Sequence, residues 1–254
     1  PIRIVDVGCG RSYLTVVLAW MAKHQWHVPV QVLGIDRNPD VIEECYRRVR
    51  LLQLDDCVRF MHSTVEEFAP AQAWALHYSA AATDSSGDAT TAAPHVVPTA
   101  AAQAVVPTIH AVIALHACDT ATCDALALAV RVDAQLIAVA PCCQAELARG
   151  WAALAERAEV GAFAAIWHTP HLRRETGADI TDAMRAVLLR SAGYNVSAIE
   201  FVPSEHTRKN TLIRAVRNPD TTPEQQRAHR AEYDNLVAAT GGIGIALAKS
   251  LGPA

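Results

Sequence analysis

Asp6-Val7-Gly8-Cys9-Gly10-Arg11-Ser12 decides how the rest of the chain is read. It follows Ile2-Arg3-Ile4-Val5, so a run rich in β-branched residues ends in a carboxylate and then in two glycines one residue apart. A buried strand that breaks at Gly-x-Gly and continues into a helical pattern from Ser12 to about His24 is the entry to a βαβ unit. Gly8 and Gly10 let the main chain come close to a ligand, where a side chain would obstruct the approach. Ser12 is expected to cap the first amides of the helix.

The same alternation extends outward from this turn. Val30 to Asp36 reads as a second strand, and Asn38-Pro39 pairs an N-cap with proline at the first helical position, opening a helix to about Gln53. Cys57 to His62 is a third strand, followed by a short turn of helix around Val65 to Phe68. Residues 69–107 break the rhythm with Ala, Thr, Ser and Pro and few large apolar residues, which predicts an insertion or a long disordered loop. The pattern resumes with a strand at Ile109 to His116, a helix from Thr120 to about Val130 and a strand from Gln135 to Ala140. Helices are expected from Gln144 to about Ala158 and from Thr181 to Ser191. Tyr194 to Val202 and Asn210 to Val216, joined by a short turn, form an antiparallel edge pair. Pro223 to about Thr240 is a terminal helix. Gly241-Gly242-Ile243-Gly244 follows a helix rather than a strand, which argues against a phosphate loop.

These elements predict an α/β, doubly wound, Rossmann-like sheet whose ligands sit beyond the strand C-termini. The expected domain spans residues 1–68 and 108–217, interrupted by the insertion at 69–107 and followed by a helical extension over 218–254. At 254 residues and 51% hydrophobic composition the chain can bury one large core. No apolar run approaches the roughly 20 residues of a membrane span, and no signal peptide opens the chain, so a cytoplasmic protein with no membrane partner is expected. The strand beginning at Ile2 leaves no room for a preceding element, so a region upstream is expected. Seven dispersed cysteines point to reduced thiols rather than a disulfide scaffold. A formal charge of −4 excludes a global field for nucleic acid, but residues 167–217 carry eight Arg or Lys against five Asp or Glu.

A nicotinamide-binding turn wants a third glycine at position 13, where this chain has Tyr13. Asp6 would repel a pyrophosphate but suits the cationic amino group of a methionine moiety. Asp36, ending the neighbouring strand, is placed to accept hydrogen bonds from both hydroxyls of a ribose. Together they favour S-adenosyl-L-methionine over a dinucleotide.

At this point the chain resembles the class I methyltransferases that use S-adenosylmethionine. Asp6 to Gly10 resembles their first motif and Gly34-Ile35-Asp36-Arg37-Asn38 their second. The resemblance implies the strand order 3-2-1-4-5-7-6. It places Asp6, Gly8 and Gly10 at the methionine part, Asp36 at the ribose and Arg37 at the adenine edge, with Leu115 also lining the cofactor. The position after the third strand that commonly holds an acid reading the adenine amino group is Ser63 or Thr64 here, and a hydroxyl can still accept that hydrogen bond.

Leu115-His116-Ala117-Cys118-Asp119-Thr120 and Pro141-Cys142-Cys143-Gln144 lie after the fourth and fifth strands, where such enzymes hold the methyl acceptor. His116, Asp119, Cys142 and Cys143 are the catalytic candidates; Asp119 equally reads as the N-cap of the next helix, and His116 as a strand-end histidine. Three readings of the thiols stay open: a nucleophile, a zinc site with His116 and Cys118, and small polar residues shaping the pocket. Adjacent cysteines lack the usual gap between zinc ligands, so no metal is expected. Both segments resemble a methyltransferase branch, the methyltransferase-domain family 32 group, whose distant relatives modify tRNA at ribose hydroxyls, although Asp119 replaces their glycine and Gln144 their histidine. The resemblance also takes in Leu172 to Glu175, Thr181 to Arg185 and Glu205 to Asn210. In the locally basic half, Arg173, Arg174, Arg185, Glu205, Lys209 and Asn210 are candidates for substrate binding through phosphate contacts, a solvated polar face being the alternative; RNA is the leading acceptor and partner, and no obligate protein partner is expected. A methyltransferase of proteins or small molecules and a non-catalytic binding domain are the alternatives.

Overall fold

Alternation along the strands builds the core. In β1 (Ile2–Val7) and β2 (Val30–Asp36), Val5, Val7, Leu33 and Ile35 face one apolar cluster, while Ile4, Val30 and Val32 face another on the opposite side of the sheet. A computed structural model describes residues 1–78, 107–115, 117–203, 205 and 210–252. It adds β3 (Val58–His62), β4 (Ala111–Ala114), β5 (Leu136–Val139), β6 (Tyr194–Glu200) and β7 (Thr211–Arg217) in one seven-stranded sheet of order β3-β2-β1-β4-β5-β7-β6. The first five strands pair in parallel, whereas β7 runs antiparallel to both β5 and β6. This is the fold class and strand order expected from the sequence.

Register fixes which residues share the ligand end. Asp6 lies beside Gly34 on β2 and Ile113 on β4, and Asp36 lies beside His62 on β3. Gly34 is required by packing: a Cβ there would stand 2.6 Å from the Phe60 ring.

On one face, α1 (Tyr13–Met21), its π-helical continuation Ala22–Trp26 and α2 (Pro39–Leu51) cover β1 to β3 through Ala19, Ile42, Cys45 and Val49. Asn38 caps α2 as expected, its side chain accepting the Asp40 amide. Ser12 does not cap α1. It adopts a left-handed conformation with φ 57°, and its side chain makes no capping bond.

On the other face lie α3 (Pro70–Tyr78), α4 (Thr120–Arg131), α5 (Glu146–Glu156), the short α6 (Ala164–Trp167), α7 (Pro170–Ser191), α8 (Pro223–Ala239) and α9 (Ala246–Leu251). Helix α3 corrects the expectation of a loop from residue 69. Ala73 and Trp74 are buried, the Trp74 indole donates to Gln31 at 3.1 Å, and the Tyr78 hydroxyl donates to the Val32 and Cys57 carbonyls. Most of the expected insertion, residues 79–106, lies outside the described residues. Helix α7 begins eleven residues before the expected start at Thr181, with Thr169 and Pro170 marking its N-terminus. Thr222 and Gln225 form a reciprocal capping box on α8, and the Trp151 indole donates to the Thr240 carbonyl, tying the C-terminal helices to the core.

Candidate active site

The turn after β1 and the end of β2 form one structure. The Gly10 amide donates to Asp36 Oδ2 at 2.9 Å, and the Asn38 amide donates to Asp36 Oδ1 at 2.9 Å. Asp36 thus ties the glycine turn to the start of α2 while each oxygen keeps a free acceptor direction. Gly8 and Gly10 have φ of +63° and +50°, in the region that favours glycine, and a Cβ on Gly8 would lie 3.8 Å from the Ala117 backbone. Beside them opens a cleft of about 270 Å³ lined by Asp6, Cys9, Gly10, Arg11, Ser12, Tyr13, Leu14 and Leu115. That volume is near the lower end, roughly 300 Å³, of small-molecule sites.

Asp6 is buried in the lining of this cleft and accepts a short hydrogen bond from the Thr15 hydroxyl. Burial pushes its carboxyl up to about 7; the Thr15 bond opposes this and the nearby Asp36 charge adds to it. Apart from a loose approach to the Cys45 thiol, the buried Ser12 hydroxyl has no hydrogen-bond partner among the described residues. A sequestered carboxylate, an unsatisfied hydroxyl and a glycine-lined wall are what the amino and carboxylate groups of a methionine moiety need, so the residues fit S-adenosylmethionine.

Arg37 is exposed, and its carbonyl meets the His62 ring at 3.0 Å. Ser63 is buried beside Asp36, its amide donating to the Asp36 carbonyl and its hydroxyl to the Thr64 carbonyl. Thr64 and Glu67 bond reciprocally through amide and side chain. Arg11, Ser12, Tyr13, Leu14 and Thr15 were not among the expected site residues. For Thr15 the available signal was a buried carboxylate nine residues earlier that requires a donor.

The acceptor end is built around Asp119. Its backbone sits at φ 53°, ψ −119°, a conformation suited to glycine. It does not cap α4, the helix it precedes. Instead Oδ1 accepts the Ala145 and Glu146 amides at the start of α5, and Oδ2 pairs with Arg149 at 2.7 Å. Burial alone would raise its carboxyl, but Arg149 and those two amides outweigh it and hold the group below the usual carboxylate range. The backbone strain costs about 1–3 kcal/mol, whereas each amide bond to a charged acceptor contributes about 1.5–3 kcal/mol, so the bonds hold the strained residue in place. Bound to Arg149 and two amides, this carboxylate holds the loop after β4 against the start of α5.

Arg185 also departs from expectation. It is fully buried, pairing with Asp182 at 2.9 Å and donating to the Asp119 carbonyl at 2.7 Å, so it cannot meet a substrate phosphate. Gln144 donates to the other Asp182 oxygen at 2.6 Å, completing a link between the loops after β4 and β5 and helix α7. Asn210 donates to the Glu200 carboxylate and the Val202 carbonyl at the end of β6. Arg173 is half-buried and donates to the Trp167 carbonyl, while Arg174 and Glu205 are exposed. His116 and Lys209 lie outside the described residues.

Cys118, Cys142 and Cys143 are exposed and converge at the rim, their sulfurs all within 4.8 Å of one another. The Cys118 thiol is pushed up to about 12, first by its contact with Cys142 and then by burial and Cys143.

A seven-stranded sheet of this order, with a carboxylate-flanked glycine turn facing a strand-end aspartate, defines a Rossmann-like methyltransferase fold. Residues 1–150 match the family model described as Methyltransferase domain, and the chain belongs to that family. No curated protein matches the chain. Among solved structures it is similar to the SAH-bound Podospora anserina methyltransferase PaMTH1, at 9% identity over 86% of this chain and 72% of that one, with a TM-score of 0.44. It is also similar to the citrinin polyketide synthase CMeT domain, at 15% identity over 86% of this chain and 47% of that one, TM-score 0.47. A third is the [4+2]-cyclase SpnF, at 14% identity over 54% of this chain and 38% of that one, TM-score 0.34. The chain thus spans less than half the length of the last two.

Proposed function

We propose that this chain methylates RNA, taking the methyl group from S-adenosylmethionine. The observation that carries the methyl-transfer reading is the 2.9 Å bond from the Gly10 amide to Asp36, which brings the strand-end carboxylate against the glycine turn that borders the cleft. When bound there, the cofactor supplies an electrophilic methyl group on a sulfonium centre. Asp6 and the Ser12 hydroxyl would hold its methionine end, Asp36 its ribose hydroxyls, and Ser63 and Arg37 would flank the adenine side. Leu115 lines the cleft, and Ala117 lies against Gly8 one residue before Cys118. Methyl transfer requires in-line approach, so the chain's main contribution is orientation.

The RNA reading is supported by the excess of Arg and Lys over residues 167–217, where Arg174 and Arg214 are exposed although Arg185 is buried. The same reading treats the chain as cytoplasmic; among the described residues no helix is long and apolar enough to cross a membrane. The test is transfer of a radiolabelled methyl group from the cofactor to RNA, protein and metabolite fractions of a deletion strain, using the full-length protein. Label that RNase removes is the expected result. Label confined to protein or small molecules overturns the RNA assignment, and calorimetric cofactor binding without any labelled pool overturns turnover itself.

A further inference from the structure

Three thiols from two different loops meet at one point of the rim. Cys118 follows β4, and Cys142 and Cys143 follow β5, so the parallel pairing of these strands brings together residues that sequence spacing separates. The Asp119 amide donates to the Cys143 carbonyl at 2.8 Å and the Asp119 carboxylate holds the Ala145 and Glu146 amides, fixing one loop against the other. Adjacency of Cys142 and Cys143 argued against shared ligation only while both ligand pairs were sought along the sequence. Both residues lie in irregular backbone between β5 and α5, where neighbouring side chains need not diverge as they do in a strand.

We propose that Cys118, Cys142 and Cys143 together bind one zinc ion. Zinc–sulfur bonds of about 2.3 Å in tetrahedral geometry put ligand sulfurs about 3.8 Å apart. Cys142 and Cys143 stand 3.9 Å apart and Cys118 and Cys142 2.7 Å apart, so a small opening of the latter pair completes the triangle. Three protein ligands leave a fourth position for a solvent or substrate atom, the pattern of zinc sites that take part in chemistry rather than purely structural ones. Binding displaces the thiol protons to solvent and replaces a crowded set of thiols with thiolates neutralised by the cation. Through Ala117, which adjoins both Cys118 and the Gly8 wall, the ion would stand next to the cofactor crevice.

The proposal does not depend on the acceptor being RNA, and its test does not use methyl transfer. The full chain, reduced and stripped with a chelator, is titrated with Zn²⁺ alone against a chromogenic competitor and then assayed by elemental analysis. One zinc per chain is expected, with affinity falling roughly tenfold or more in each of Cys118→Ser, Cys142→Ser and Cys143→Ser, while circular dichroism remains native. Loading the unsubstituted chain with Co²⁺ should give a thiolate-to-metal charge-transfer band, a readout that needs no variant to fold. No stoichiometric zinc in the reduced chain, no such band, or affinity unchanged by all three substitutions overturns the site.

Discussion

Asp6 and Asp36 are both carboxylates at the C-terminal ends of neighbouring strands, yet their surroundings give them different tasks. Asp36 is half-exposed and holds two backbone amides, so it stays available to further donors. Asp36→Ala removes charged hydrogen bonds to a ribose and is expected to weaken cofactor binding by about 1–3 kcal/mol in calorimetry; unchanged affinity would remove the ribose assignment. Asp6 is buried with its carboxyl raised to about 7 from 3.8. Between those values the native chain keeps a proton that the unfolded chain has lost, so this group's stabilisation is present at acid pH and is lost as pH rises through 7. A cationic ligand reverses the preference, since it needs the ionised carboxylate. Cofactor affinity should therefore rise about eightfold from pH 6 to 7.5 as Asp6 ionises, and Asp6→Asn should flatten the profile. A profile unaltered by Asp6→Asn would sever Asp6 from the ligand. Both residues were legible in the sequence because strand ends and glycine turns fix their own positions. Thr15 and Ser12 were not, because the left-handed turn at Ser12 redirects a side chain that local rules assign to capping.

Among the elements, the loop from Cys118 to Thr120 shows how a residue can serve a helix other than its own. Sequence order made Asp119 the N-cap of α4, whereas tertiary proximity makes it the cap of α5. Asp119→Ala keeps the strained backbone and loses the cap, and is expected to destabilise the fold by about 2 kcal/mol in urea denaturation. Asp119→Gly loses the same cap but relieves the strain, so it should cost about 1 kcal/mol less; equal losses would refute the strain argument. Helix α7 was half legible. Its stripe of Thr181, Met184, Arg185 and Leu188 carries one arginine at a buried position, a sign of an internal ion pair that a reading based on local charge took for a phosphate contact. Helix α3 was only faintly legible, because its apolar face amounts to little more than Ala73 and Trp74 within an alanine-rich run that reads at most as marginal helix.

For the molecule as a whole, the strand order and the antiparallel edge followed from apolar runs of strand length separated by helical patterns, information that is dense in the sequence. That the loops after β4 and β5 share one rim was legible from the same alternation; how close their thiols come was not. Spacing placed Cys118 more than twenty residues from Cys142, while pairing of β4 with β5 leaves their sulfurs in contact. The anchoring of Tyr78 to Val32 and Cys57, together with the bonds between Arg3 and His110, has a further consequence. Both points lie toward the strand starts, opposite the crevice, so Tyr78 and His110 are each fastened at the end of the sheet remote from the glycine turn. Sequence change around those two anchors can therefore leave the ligand end of the sheet unaltered.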